Sequence, residues 1–173
     1  MMKWLGAGAT VLAIAGLLLF GLVRVVGDSM MSTYCEGDRL LTLPPGSGES
    51  LLGRVVVIVH PLHGVLIKRV VAEAGDVLQV DSGEIRVNGR VVPRYAFCDG
   101  ADFTGMSVAD RLIHEEWVVP HGELYVLGDY RNGSLDSRTY GMVRRTDVVG
   151  VVWSRLPGFQ CRCRSDSATG AGT

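Results

Sequence analysis

Neither sign of charge dominates this chain. Seventeen lysines and arginines stand against 18 aspartates and glutamates, a formal net charge of −1, which leaves no electrostatic footprint for nucleic acid. Charged residues are scarce at 20%, and the positive mean hydropathy of +0.26 is concentrated at the N-terminus, which points to a membrane. The four cysteines, Cys35, Cys98, Cys161 and Cys163, are compatible with an oxidising compartment but lack zinc spacing. Cys161 and Cys163 are one residue apart, and no second pair or nearby histidine completes a ligand set. The histidines, His60, His63, His114 and His121, are scattered and read as surface or loop residues. There is no internal repeat. The body has no strong amphipathic helix either, only a weak helical possibility near Ser107–His114.

What the N-terminus has is a long apolar run. The 20 residues Trp4–Val23 carry no charge and are bracketed by Lys3 and Arg24. As a helix this is about 30 Å, one hydrocarbon thickness. A cleavable leader would need a shorter apolar region followed by small residues. Here Val23, Arg24, Val25 and Val26 follow, so the run reads as an uncleaved anchor. Lys3 favours a cytoplasmic N-terminus and Arg24 works against that bias. The body is expected outside the cytoplasm. The domain reading is a transmembrane anchor over 1–25, a β-rich domain over 26–157 and a flexible polar tail over 158–173.

After the anchor the pattern is that of strands. Arg54–His60, Val65–Val71 and Val77–Val80 are short Val/Ile/Leu-rich runs separated by Gly, Pro or Asp. Apolar alternation on both sides of Asn88-Gly89 predicts a tight hairpin over Gly83–Pro93, since that pair tolerates positive φ at both turn positions. Leu124–Leu127 and Val148–Trp153 are further strand candidates, Pro44–Gly48 a loop, and residues 94–116 an irregular excursion. The fold class is all-β and barrel-like, on one N-terminal transmembrane helix.

Three segments carry candidate chemistry. The first, Gly27–Asp38, follows the anchor and holds Ser29, by itself one hydroxyl among many. The second is Ile67-Lys68-Arg69-Val70-Val71. On strand alternation Lys68 could simply face solvent. Yet its apolar neighbours are also where desolvation would disfavour the ammonium and leave a neutral amine, able to take a proton from a serine without histidine or carboxylate. The third, Gly128–Gly141, is a Gly/Asn/Ser/Asp-rich loop in which Asp136 and Arg138 are close enough for a local ion pair.

Together, in this order, the segments resemble the type I signal peptidase (leader peptidase) family. That family's serine box, Ser-Met-x-Pro-Thr-Leu with a following Gly-Asp, is matched by Ser29-Met30-Met31-Ser32-Thr33-Tyr34 and Gly37-Asp38. Its lysine box, Lys-Arg-Val-x-Gly-x-Pro-Gly-Asp, is matched by Lys68–Asp76, and the family's Asn-Gly hairpin by Val87-Asn88-Gly89. Its third box, Gly-Asp-Asn-x-x-Asn-Ser-x-Asp-Ser-Arg, is matched by Gly128–Arg138.

The resemblance implies a Ser/Lys-dyad endopeptidase without metal or cofactor, acting on preproteins with signal peptides at the outer face of the cell membrane. Ser29 would be the nucleophile and Lys68 the general base. Ser134 would hydrogen-bond and orient Lys68, and Gly27 would lie at the oxyanion region with the Ser29 N–H. Asp136 and Arg138 would be structural, with Gly128 and Asp129 shaping their loop. Ser32 departs from the box's proline, Ala72 and Ala74 from a glycine and a proline, and Tyr130 and Gly133 from two asparagines. These departures favour a divergent member, and a dedicated processing peptidase for one or a few secreted, pilus or conjugation proteins is the alternative. A catalytically inactive, membrane-anchored β binding domain is the alternative of another class. The self-cleaving SOS-response repressors, a related Ser/Lys fold, are cytoplasmic and need no membrane helix.

Overall fold

Valine, isoleucine and leucine at alternating positions give this chain its strands, and eleven occur among the described residues, 21–81, 84–93 and 115–158 of the computed structural model. They are β1 (Gly21–Arg24), β2 (Arg39–Leu43), β3 (Val55–His60), β4 (Gly64–Glu73), β5 (Val77–Asp81), β6 (Glu84–Val87), β7 (Arg90–Val91), β8 (Glu115–Val118), β9 (Glu123–Leu127), β10 (Val143–Arg144) and β11 (Val148–Arg155). All pairings are antiparallel. One sheet has the order β1-β2-β11-β3-β4-β9-β10 and the other β7-β6-β5-β8. The all-β class read from the sequence is found.

The last strand in sequence, β11, is central in the larger sheet, paired with β2 on one side and β3 on the other. Its Gly150 packs against Thr42, whose hydroxyl and Cβ would lie 3.0 Å from an added Cβ. The hairpin expected at Asn88-Gly89 joins β6 to β7, and both turn residues have positive φ, 51° and 76°. Three apolar clusters hold the domain together. One gathers Val56, Ile58, Val70, Val126 and Val151 within the larger sheet, and a second joins Leu78 and Ile85 of the smaller sheet to Ala72, Tyr125 and Leu127. The third lies under the candidate nucleophile and is described below.

The apolar run ends earlier than its composition suggests. Helix was expected through Val23, but Gly21–Arg24 is a strand in register with β2, Val23 opposite Leu40 and Gly21 opposite Thr42. The cause is packing. Val23 lies against the cluster of Val25 and Leu40, and Gly21 sits on the Thr42 hydroxyl, where a side chain would collide. Of the span 1–25 assigned to the anchor, Gly21–Arg24 is therefore strand. Residues 1–20, and with them most of the expected anchor, lie outside the described residues. Among the described residues no helix is long and apolar enough to cross a membrane. The expected excursion over 94–116 is corrected at its end, where Glu115–Val118 pairs with β5; its remainder, the possible helix at Ser107–His114 and the polar tail beyond residue 158 lie outside the described residues.

Candidate active site

Ser29 sits on a tight excursion between β1 and β2. The ladder of those strands runs on into the base of the excursion, where the Val25 N–H donates to the Asp38 carbonyl (2.8 Å) and the Gly37 N–H to that of Val25 (2.9 Å). Inside it the Met31 N–H reaches the Asp28 carbonyl (2.7 Å) and the Tyr34 N–H that of Met30 (2.8 Å). Met30, 1% exposed, is the plug. It enters the third cluster with Val25, Leu40, Val55, Val57 and Val152, flanked by Tyr34 and Ile67. Burying such a side chain contributes about 1.5–3 kcal/mol, so the residue after Ser29 fixes the serine in place. Gly27 has φ +83°, a conformation that a side chain disfavours.

Lys68 lies mid-strand in β4, opposite Val56, and shares its side of the strand with Val70 of the first cluster. Alternation could not choose between core and solvent; the structure chooses the core, with Lys68 2% exposed. Its Nζ lies 2.8 Å from Ser29 Oγ and 3.1 Å from the Ile67 carbonyl, which accepts a hydrogen bond from it. Burial pulls the Lys68 pKa below its ordinary value, while the carboxylates of Asp136 and Asp129 pull the other way more weakly. A buried amine with a lowered pKa, in contact with a hydroxyl, is poised to take its proton.

The third segment closes over the other two from the end of β9. The Tyr130 N–H donates to the Ser29 carbonyl (3.0 Å). Gly128 is packed against the Ser134 side chain and 2.6 Å, measured from an added Cβ, from that same carbonyl, so only glycine fits. Asp136 is fully buried and accepts from the Gly128 N–H (3.0 Å) and from Arg138 Nε (2.9 Å) and Nη2 (3.0 Å). It also caps the one-turn helix α1 (Ser137–Tyr140), whose Ser137 Oγ accepts from the Val126 N–H (2.9 Å). Arg138 also donates to the Arg131 carbonyl.

The structure departs from expectation at Ser134. Its Oγ is buried with no hydrogen-bond partner, so the bond expected to Lys68 is not formed. The sequence placed Ser134 in the correct loop, but its hydroxyl packs against Gly128, beside a Ser29 carbonyl already taken by Tyr130.

One set of residues went unrecognised as a unit. Arg69 donates to Asp129 through Nε (2.8 Å) and Nη2 (2.7 Å), and Thr33 donates to the same carboxylate (2.6 Å). Asp129 is 3% exposed. One buried carboxylate thus ties together the serine excursion, the lysine strand and the third segment. The only sequence signal was the adjacency of each residue to a candidate: Arg69 to Lys68, Asp129 to Gly128, Thr33 four places after Ser29.

Two further features bear on the excursion. Cys35 is disulfide-bonded, and the other three cysteines lie outside the described residues. Ser32, which stands where the resembling box has proline, has φ +83° and a buried hydroxyl without a partner. Proline is locked near −65° and cannot take this conformation. Ser32→Pro is therefore expected to destabilise the protein by about 1–3 kcal/mol, read as a lowered Tm, while Ser32→Gly leaves Tm unchanged or raised.

Of the described histidines, His60 and His63 stack on each other and meet the Tyr140 ring at a tilt, with ring centroids 4.7–5.5 Å apart, and none hydrogen-bonds Ser29 or Lys68. The described residues contain no His/Cys/Asp/Glu group suited to a metal.

Residues 1–156 match the family model described as signal peptidase, peptidase S26. Signal peptidase I V of Bacillus subtilis is 33% identical over 138 residues, covering 75% of this chain and 81% of that protein. Signal peptidase IB of Staphylococcus aureus is 28% identical over 160 residues, covering 86% and 84%. A probable signal peptidase I-1 of Synechocystis is 26% identical over 143 residues, covering 73% of this chain and 65% of its own length.

Proposed function

The chain belongs to the type I signal peptidase family and is a serine endopeptidase, and on that footing we propose that it removes signal peptides from exported preproteins with a Ser29/Lys68 dyad. The observation that carries this reading is the 2.8 Å contact between a buried Lys68 amine and the Ser29 hydroxyl. In the proposed mechanism Lys68 takes the Ser29 proton as Oγ attacks the scissile carbonyl. The Ser29 N–H, in the region shaped by Gly27, stabilises the oxyanion. Lys68 then gives the proton to the departing amine, leaving an acyl-enzyme on Ser29. Water, activated by the same amine, releases the signal peptide. Asp136 and Arg138 hold the third segment over the dyad, and Ser134 packs within it.

Anchoring belongs to the same proposal. With β1 starting at Gly21, the span left to a membrane helix is Trp4–Phe20, roughly 17 residues and about 25 Å, the low end of what crosses a bilayer. Ser29 then stands a few residues beyond the lipid surface, where a translocated signal peptide emerges. The catalytic domain is extracytoplasmic.

Purified full-length protein incubated with a model preprotein should yield the mature N-terminus by mass spectrometry, with no product from Ser29→Ala. Equal cleavage by that variant would reject Ser29. Protease added to spheroplasts should reach the domain, and a reporter fused after Trp153 should report an external location; a cytoplasmic signal would reject the function even if the dyad were active. Ser32, with its backbone turned away from what proline allows, favours the narrower reading of a dedicated processing peptidase. A panel of unrelated preproteins separates the two readings, since a dedicated enzyme cuts few of them.

A further inference from the structure

Three residues past Ser29 the backbone is strained. Ser32 has φ +83°, in the left-handed region that a side chain disfavours, and its buried hydroxyl has no hydrogen-bond partner. Such a conformation persists only where its surroundings hold it. The turns of the excursion connect this strain to the nucleophile. The Met31 N–H is bonded to the Asp28 carbonyl, and the Thr33 and Tyr34 N–H groups to that of Met30 (3.0 and 2.8 Å). If residues 32–35 relax, Ser29 moves with them and its 2.8 Å contact with Lys68 Nζ is lost. On one side the segment is held by distant groups, Thr33 by Asp129 and the Ser29 carbonyl by the Tyr130 N–H. On the other side stands Cys35. Its N–H donates to the Asp38 carboxylate (3.0 Å) and the Asp38 N–H returns to the Cys35 carbonyl (3.1 Å), both bonds local to one turn. The disulfide at Cys35 ties that turn to a distant part of the chain, since the other cysteines stand at 98, 161 and 163. Cys35 is half-buried, within reach of a small thiol.

We propose that the Cys35 disulfide is a redox-sensitive restraint on the catalytic serine: oxidised, it holds Ser29 against Lys68, and reduced, it lets the strain at Ser32 relax and Ser29 withdraw. Forming the bond takes two electrons and two protons from the Cys35 thiol and its partner thiol and passes them to a disulfide oxidant, which leaves as two thiols; a dithiol reductant reverses the step. Cys35 is thus a positioning residue, acting on the reaction through Ser29. Peptidase activity is thereby coupled to the thiol redox state around the domain. The proposal rests on the Ser29/Lys68 dyad of the preceding section, and one arm of its test needs no peptidase activity.

The test compares the full chain in detergent before and after reduction by dithiothreitol. Peptide mapping should find Cys35 in a disulfide in the oxidised protein; a free Cys35 thiol there overturns the proposal. Reduction should lower kcat for preprotein cleavage about 30- to 100-fold at little-changed KM, the scale of loss when a reacting group is displaced by about 1 Å, and reoxidation should restore it. Cys35→Ser should match the reduced protein and ignore dithiothreitol. One of Cys98→Ser, Cys161→Ser and Cys163→Ser should do the same, and if none does the proposal is overturned. Ser32→Gly, which takes φ +83° without strain, should lose only about threefold on reduction, a rescue that a merely structural bond would not give. An equal loss in Ser32→Gly and wild type also overturns the proposal. Apart from cleavage, amide hydrogen exchange over residues 29–35 should quicken roughly tenfold on reduction while β3 and β4 stay protected. Unchanged exchange overturns the proposal, as does protection lost throughout the domain, which would make the bond a support of the whole fold. A protein that never cleaves, yet shows this confined and reversible change in exchange, rejects the peptidase reading and upholds the restraint.

Discussion

Ser29→Ala, Lys68→Ala and the double variant should each lose preprotein cleavage by on the order of 10³–10⁶-fold, with the double variant scarcely worse than either single one. In the proposed dyad, two groups 2.8 Å apart that share one proton would act as a unit, so removing the second should cost little once the first is gone. Additive losses would mean that the two act separately, and substantial activity in Lys68→Ala would require another base. The pH dependence follows from the buried amine. Only neutral Lys68 can accept the Ser29 proton, so activity should rise with pH through the Lys68 pKa, which burial holds below its ordinary value near 10.5. Stability moves in the same sense. Between the folded and unfolded pKa values the unfolded chain binds more protons, so folding becomes more favourable as pH rises across that window and less favourable as it falls. Lys68→Met removes the titrating group from an apolar site. It should abolish cleavage, match or exceed wild-type Tm at neutral pH, and flatten the pH dependence of stability. A Lys68→Met protein that fails to fold at neutral pH would show the amine to be structural.

Arg69→Met should lower stability by about 3–5 kcal/mol, measured as the shift in denaturant midpoint at unchanged m-value. Its loss leaves the Asp129 carboxylate, 3% exposed, with the Thr33 hydroxyl as its one remaining side-chain donor among the described residues. Arg69→Lys should recover little, because the pair is bidentate and a lysine offers one point of charge where Nε and Nη2 are needed. Replacing both Arg69 and Asp129 by apolar residues should cost less than Arg69→Met alone, since no charge is then buried without a partner. Activity should fall in the single variants beyond what the folded fraction explains, because Thr33 and Tyr130 position Ser29 from this junction. Full specific activity in folded Arg69→Met would show that the junction holds the fold and not the site.

The parts of this molecule that local chemistry dictates could be read from the sequence. Val55–His60 and Gly64–Glu73 declare themselves through β-branched runs, and Asn88-Gly89 declares its turn through the two positive φ angles it needs. Ser29, Lys68 and the third segment could be named because each lies in a recognisable local pattern. What could not be read depends on distant partners. Arg69 and Asp129 are 60 residues apart, and Thr33 and Asp129 96 apart, so nothing beside either residue announces the bond. Burial of Lys68 turned on which side of β4 faced the core, a choice that period-two alternation leaves symmetric. The end of the apolar run was misjudged because Leu22 and Val23 suit a membrane helix and a strand equally; only the partner strand Arg39–Leu43 decides. Ser134 was placed in its loop, but the direction of its hydroxyl depends on Gly128 and the Ser29 carbonyl.

The central place of β11 also sets a clock. During synthesis the strands from β1 to β10 emerge first, yet the larger sheet has a gap between β2 and β3 until Val148–Arg155 arrives to fill it. Before then β2 and β3 have unpaired edges, and the Ser29 excursion rests on a cluster still missing Val152. A chain stopped short of residue 148 should therefore be inactive and prone to aggregate, however complete its catalytic segments. Proteolytic competence is therefore expected only once β11 has emerged and paired with both β2 and β3.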